Sequence, residues 1–181
     1  INRPGGAATI GMNTVAKSAP DGYTLGVATL SFAANPPFMA GQMPFDTERD
    51  LVPVVMTTRV PLVMEIHPSV PARSVRELID LARAKPGAIN YGSSGVASSG
   101  HLAGALFESM AGVQMTHVPY SNQSSITALV SGVFEVLFGA APNAVPLIKS
   151  GRLVALGVTT ARPIAQLPGV PPVAETVPRS E

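Results

Sequence analysis

The chain has 181 residues, 46% hydrophobic and 13% charged, with a net charge of +1. No apolar run approaches the ~20 residues of a membrane span, and no basic stripe points to nucleic acid. There is no cysteine, so disulfides and cysteine-based zinc sites are excluded. His67, His101 and His117 stand far apart in the sequence without a metal-ligand spacing, so neither metal nor cofactor is expected.

The chain opens at Ile1-Asn2-Arg3-Pro4 without an initiator Met or a signal peptide, as a fragment would. Residues 5–17 carry Ala8, Ile10, Met12, Val15 and Ala16 at helical spacing, and Pro20-Asp21-Gly22 turns the chain. Leu25–Leu30 reads as a buried strand. Asn35-Pro36-Pro37 breaks the chain, and residues 38–50 are loop-like. Val52–Thr58 and Leu62–Ile66 are β-rich runs separated by Arg59-Val60-Pro61. Ser74-Val75-Arg76-Glu77 is a capping box opening a helix whose Val75, Leu78, Ile79 and Ala82 share one face, and Lys85-Pro86-Gly87 stops it. A strand at Ala88–Tyr91 precedes a helix through Ala103–Met110. Then come strand Val113–Val118, helix Ser121–Val130, strand Val133–Phe138, helix Pro142–Lys149 with proline in its first turn, and strand Leu153–Val158. Alternation from residue 62 onward predicts a parallel α/β sheet, whose ligands bind outside the carboxyl ends of the strands.

The octet Gly95-Val96-Ala97-Ser98-Ser99-Gly100-His101-Leu102 lies between such a strand and its helix. A turn of this composition aims free N–H groups at one spot, reinforced by the helix dipole, which makes an anion site. It is not a P-loop, because His101 and Leu102 stand where Lys and Ser/Thr belong. It is not a nucleophile elbow either, since Ser93, Ser94 and Ser98 lack flanking glycines at the required offsets. The plain alternative is a helix cap with tight packing. Tyr120-Ser121-Asn122 and Gly139-Ala140-Ala141 also follow strand ends and share the octet's edge of the sheet.

Several stretches taken together carry a resemblance. They are Asn2-Arg3-Pro4-Gly5-Gly6, Ala19-Pro20-Asp21-Gly22-Tyr23-Thr24-Leu25, Pro44-Phe45-Asp46, His67-Pro68-Ser69, Lys85-Pro86-Gly87, His101-Leu102-Ala103-Gly104, His117-Val118-Pro119-Tyr120, Leu167-Pro168-Gly169-Val170-Pro171 and Val173-Ala174-Glu175. In this order and spacing the chain resembles the Bug family, the solute-binding receptors of tripartite tricarboxylate transporters. The resemblance covers essentially the whole chain. It implies a type II periplasmic binding-protein fold, in which two α/β lobes with parallel-dominated sheets close on a small organic carboxylate. The lobes would be residues 1–64, an incomplete first lobe, and residues 65–181, the second. It also implies a periplasmic location, membrane transporter subunits as partners and no catalysis. The octet matches the second-lobe loop of the family's two-loop clamp. Gly139 stands where the family often has Asp, Val96-Ala97 where it has a small polar pair, and Phe32 where it often has His. These departures favour a less polar ligand, an aromatic or short aliphatic carboxylate.

The expected anion-binding groups are Ser93, the N–H groups of Gly95, Val96, Ala97, Ser98 and Ser99, and the hydroxyls of Ser98 and Ser99. Gly139 is placed beside them. Thr29, Ser31 and Asn35 would hold the far end of the ligand, and Tyr120 would shape the wall. Neutral dipoles are preferred over Arg3, Arg49 and Arg59, because a buried cation carries a desolvation cost. The rival reading is a serine-type hydrolase using Ser93 or Ser98 with His101 or His117. It lacks an obvious carboxylate to orient the imidazole.

Overall fold

The structure, a computed structural model, describes residues 9–29, 32, 43–120 and 124–177. They belong to two compact units, Ile1–Thr58 and Arg59–Glu181. The 64/65 division read from the sequence falls inside the first strand of the second unit.

In the first unit, helix α1 (Thr9–Ala16) contributes Met12 to a small cluster with Phe32 and Phe45, whose rings stack at 5.9 Å. The Asp21 carboxylate accepts the Tyr23 N–H in the expected turn, where Gly22 takes φ +82°. The strand expected at 25–30 is not formed over residues 25–29, and Leu25 and Val27 are exposed. The run at 52–58 is likewise irregular, with Val52, Val54, Val55 and Met56 exposed. An apolar run becomes a strand only where another edge accepts its backbone groups, and no strand among the described residues does so for either run. Pro53 also withdraws one donor.

The second unit is a five-stranded sheet between two helical layers. In chain order its elements are β1 (Leu62–Ile66), α2 (Val75–Ala84), β2 (Asn90–Ser93), α3 (Ser99–Ala111), β3 (Thr116–Pro119), α4 (Ser125–Val130), β4 (Val136–Ala140), α5 (Ala141–Lys149) and β5 (Val154–Val158), followed by a 3₁₀ turn at Val173–Glu175. The spatial order is β3-β2-β4-β1-β5. β2 runs parallel to β3 and β4, but β1 is antiparallel to both β4 and β5. The sheet is therefore mixed: the parallel arrangement expected from the alternation holds for β2, β3 and β4, and β1 is the one reversed strand. Alternation fixes the layers, not the direction of a strand followed by a long irregular connector, and residues 67–74 between β1 and α2 are such a connector.

Period-two alternation divides the core. Met64, Ile66, Val136 and Phe138 face α2 and α3, meeting Val75, Leu78, Ile79, Ala82 and Phe107. On the opposite face Val63 packs with Ala141 and Ala144, while Leu137 packs with Ala128, Leu129 and Phe134. The capping box forms with one change of partner. The Ser74 hydroxyl accepts the Glu77 N–H at 3.2 Å, but the Glu77 carboxylate accepts the N–H of Arg73 at 2.7 Å. Helix α3 approaches β2 closely because Gly104 has no side chain. A Cβ there would overlap the buried Tyr91 ring.

Candidate functional site

The parallel strands β2, β3 and β4 bring their carboxyl ends to one edge. Because β1 is reversed, its start lies there too, with the Ala141 N–H donating to Pro61 O at 3.0 Å and the Thr159 N–H to Leu62 O at 3.0 Å. The octet rises from this edge. Gly95 takes φ +130°, and Ala97 takes φ +62°, which makes it the one non-glycine residue with positive φ among the described residues. The Ser98 N–H closes the turn onto Gly95 O at 3.2 Å. Ser98 is the N-cap of α3, its hydroxyl accepting the His101 N–H at 3.4 Å.

The N–H groups expected to face an anion divide into two sets. Gly95 N–H donates to the Ser93 hydroxyl at 3.1 Å, Ala97 N–H to His101 Nδ1 at 3.1 Å, and Ser98 N–H closes the turn. These three are engaged within the loop. The N–H groups of Val96, Ser99 and Gly100 have no acceptor among the described residues. They sit at the positive end of the 13-residue helix α3, where a carboxylate would be accepted. Val96 is exposed, so the loop also offers an apolar side chain to whatever binds.

The other candidate residues lie as follows. Ser93 is fully buried. Its hydroxyl, besides accepting from Gly95, contacts His117 Nε2 at 2.7 Å and Gly95 O at 2.9 Å. Tyr120 is half-buried. Its N–H donates to Ser93 O at 2.8 Å, and its ring meets the edge of Phe134 at 6.1 Å. Gly139 is buried and turned toward Glu65, whose carboxyl occupies the space a Cβ at 139 would need. Thr29 is exposed in the first unit, and its carbonyl accepts the Phe32 N–H at 3.0 Å. Ser31 and Asn35 lie outside the described residues. Of the hydrolase pairs, Ser93 meets His117, whereas the Ser98 hydroxyl meets only the His101 backbone. No carboxylate bonds either ring among the described residues.

Two features escaped the sequence reading. His101 and His117, distant in sequence, lie against each other with ring centroids 4.1 Å apart and planes tilted by 32°. Burial first, and then neighbouring His101, hold the His117 imidazole below its usual range. The β2–β3 register, Tyr91 beside His117 and Ser93 beside Pro119, creates this cluster, and only tertiary pairing supplies it. Glu65 is fully buried on the Val63 side of β1, and neither carboxyl oxygen has a hydrogen-bond partner among the described residues. Burial pushes it up to about 8, so it is protonated at neutral pH. A single acid inside an otherwise apolar strand was its sequence signal. Among the described residues no cluster of three acidic, His or Cys side chains is placed to hold a metal, and no helix is long and apolar enough to cross a membrane.

Comparison with known proteins adds four findings. The sequence model of the tripartite tricarboxylate transporter family receptor matches residues 1–180. A UPF0065 protein from the tcbD-tcbE intergenic region of Pseudomonas sp. (strain P51) is 34% identical over 175 residues, covering 96% of this chain and 52% of that protein. Among solved structures, an R. palustris protein with adipate superposes with a TM-score of 0.85 at 34% identity, over 99% of this chain and 61% of that one. The periplasmic binding protein BugD superposes with a TM-score of 0.86 at 22% identity, over 97% and 59%, a likeness of fold. The architecture is thus that of the periplasmic binding proteins, as the sequence led one to expect. The chain spans about half the length of the curated relatives it matches.

Proposed function

The chain belongs to the tripartite tricarboxylate transporter receptor family, and from that premise we propose that it forms part of a periplasmic, non-enzymatic receptor that captures a small organic carboxylate for a tripartite transporter. The observation that carries the reading is the octet, with the N–H groups of Val96, Ser99 and Gly100 left without acceptors among the described residues at the start of α3. Dipoles of this kind bind an anion without burying a counter-charge. The exposed Val96 and the methyl of Ala97 suit a ligand with an aliphatic or aromatic body. The R. palustris neighbour, solved with adipate, supports an aliphatic dicarboxylate of similar length as the first probe.

The Ser93–His117 contact gives the hydrolase alternative its only geometric support. Against it, Ser93 has no exposed surface, and its oxygen also takes the Gly95 N–H. A nucleophile so enclosed has no path to an ester carbonyl. Release of product from activated esters at a saturable rate, lost in Ser93→Ala, would favour the enzyme.

The test of the receptor reading is Ala97→Asp in the protein at its full natural length, titrated with adipate and a panel of aromatic and aliphatic carboxylates. Asp tolerates the left-handed φ of this position and suits a helix N-terminus, so folding should be spared. A like charge ~4 Å from the ligand carboxylate, at an effective dielectric near 20, repels by on the order of 4 kcal/mol, about a thousandfold in affinity. Unchanged affinity with a normal melting temperature would leave the octet a cap and no more.

A further inference from the structure

Glu65 is the one buried acid among the described residues, and neither of its carboxyl oxygens has a hydrogen-bond partner there. It reaches from β1 toward Gly139 on β4, where an added Cβ would overlap its Oε1. The layer on this face of the sheet is made of two apolar clusters, Val63 with Ala141 and Ala144, and Leu137 with Leu129 and Phe134. Ile148 of α5 packs against both, so α5 spans the layer that encloses the carboxyl. Burial alone pushes Glu65 up to about 8, because the charged form would lose its water and gain no partner.

No charge nearby compensates it. β5 and α4 carry no ionisable side chain, and α5 carries only Lys149, exposed in its last turn. Segment 159–172, whose Leu167 joins the same layer, carries only Arg162, which is exposed. Just before β4, the Glu135 carboxylate is engaged by the backbone and side-chain N–H groups of Asn90 at 2.8 and 3.0 Å.

α5 is also the weakest cover on the sheet. Its buried residues are Ala141 and Ala144, both small, whereas α4 buries Leu129 and α2 buries Leu78 and Ile79. It has no side-chain cap, and Pro142 and Pro146 donate no N–H to its ladder. Lifting α5 therefore costs little apolar contact and gives the Glu65 carboxyl the water it lacks.

We propose that α5 opens from the sheet as a unit of its own and that the proton on Glu65 holds it shut. The sign follows from burial. With α5 open, the hydrated carboxyl titrates in its ordinary range near 4.5, while the closed state keeps its proton up to about 8. Between those limits each pH unit favours the open state about tenfold, and above them both states are ionised and the effect levels off. Because α5 begins at the edge of the sheet, the opening also breaks the bond from the Ala141 N–H to Pro61 O.

The experiment is amide hydrogen exchange on the full-length protein between about pH 5 and pH 8, with and without a low concentration of urea. Corrected for the intrinsic rate, protection at Val145, Leu147, Ile148 and Lys149 should fall about tenfold per pH unit and hardly respond to urea, as a small opening exposes little surface. The amides of Leu78, Ile79 and Ala82 in α2 should be better protected and urea-sensitive, as exchange through global unfolding requires. In Glu65→Gln the α5 amides should keep one level of protection across the pH range, still without urea dependence. Glu65→Met, which removes the unpartnered oxygens, should do the same at higher protection. An α5 that exchanges with the urea dependence of α2 has no opening of its own, which overturns the proposal. Local exchange that ignores pH in the wild type, or a pH slope that persists in both variants, overturns the role of Glu65.

Discussion

Two junctions on one edge of the sheet, β2 to α3 and β4 to α5, occupy the same topological position and are built in opposite ways. At the first, residues 94–98 intervene, Gly95 and Ala97 adopt positive φ, Ser98 caps the helix, and three N–H groups have no acceptor among the described residues. At the second, Ala140 ends the strand and is also the N-cap, with no side-chain cap bond. Pro142 removes one donor, and the Ala141 N–H is taken by Pro61 O. Beneath it lies the Glu65 carboxyl, without a hydrogen-bond partner among the described residues and seated against Gly139. Topology offers an edge at which ligands can bind, but side chains decide which junction presents dipoles outward and which is closed upon itself.

The largest effect that sharpens this contrast belongs to Glu65. Its folded pKa, about 8, is raised from 4.5, so the folded state keeps a proton that the unfolded state releases. Stability is therefore fully present below pH ~4.5, falls as the pH rises toward ~8, and is flat beyond; at ~1.4 kcal/mol per pH unit the loss is on the order of 5 kcal/mol. Urea denaturation at several pH values should show this slope, and Glu65→Gln should flatten it. An equally steep slope in the variant would assign the titration elsewhere. Next comes Gly104→Val, which drives a branched side chain into Tyr91 and lifts α3 from β2. It should destabilise by about 3 kcal/mol in urea and disturb the octet more than the β4–α5 junction. A variant of wild-type stability would show that α3 can slide. The smallest effects are at the caps. Ser98→Ala should lose about 1 kcal/mol, and Ala140→Ser, adding an oxygen where α5 has none, should gain less than that. Equal and negligible changes at both positions would erase the distinction between the two junctions.

Much of the second unit was legible because its signals are local. Val75, Leu78, Ile79 and Ala82 announce the buried face of α2, and Ser98 announces the start of α3. What was illegible depends on partners remote in sequence. Val54-Val55-Met56 and Val63-Met64 look alike as β-formers, yet the first three are exposed and the second pair fully buried. The difference is that β4 and β5 flank only the latter. The reversal of β1 and the contact of the His101 ring with that of His117 are pairing facts of the same kind. In the octet, composition revealed the turn and the cap. It could not reveal that Ser93 and His101 would claim the N–H groups of Gly95 and Ala97, leaving those of Val96, Ser99 and Gly100.

The central claim is that those three N–H groups receive the ligand carboxylate. Backbone amide spectra of the full-length protein during a titration with adipate test it most directly. The amides of Val96, Ser99 and Gly100 should move downfield together and saturate with the binding curve, while Asn143 and Ala144 at the start of α5 stay in place. Saturable binding that leaves the octet amides unmoved would contradict the account.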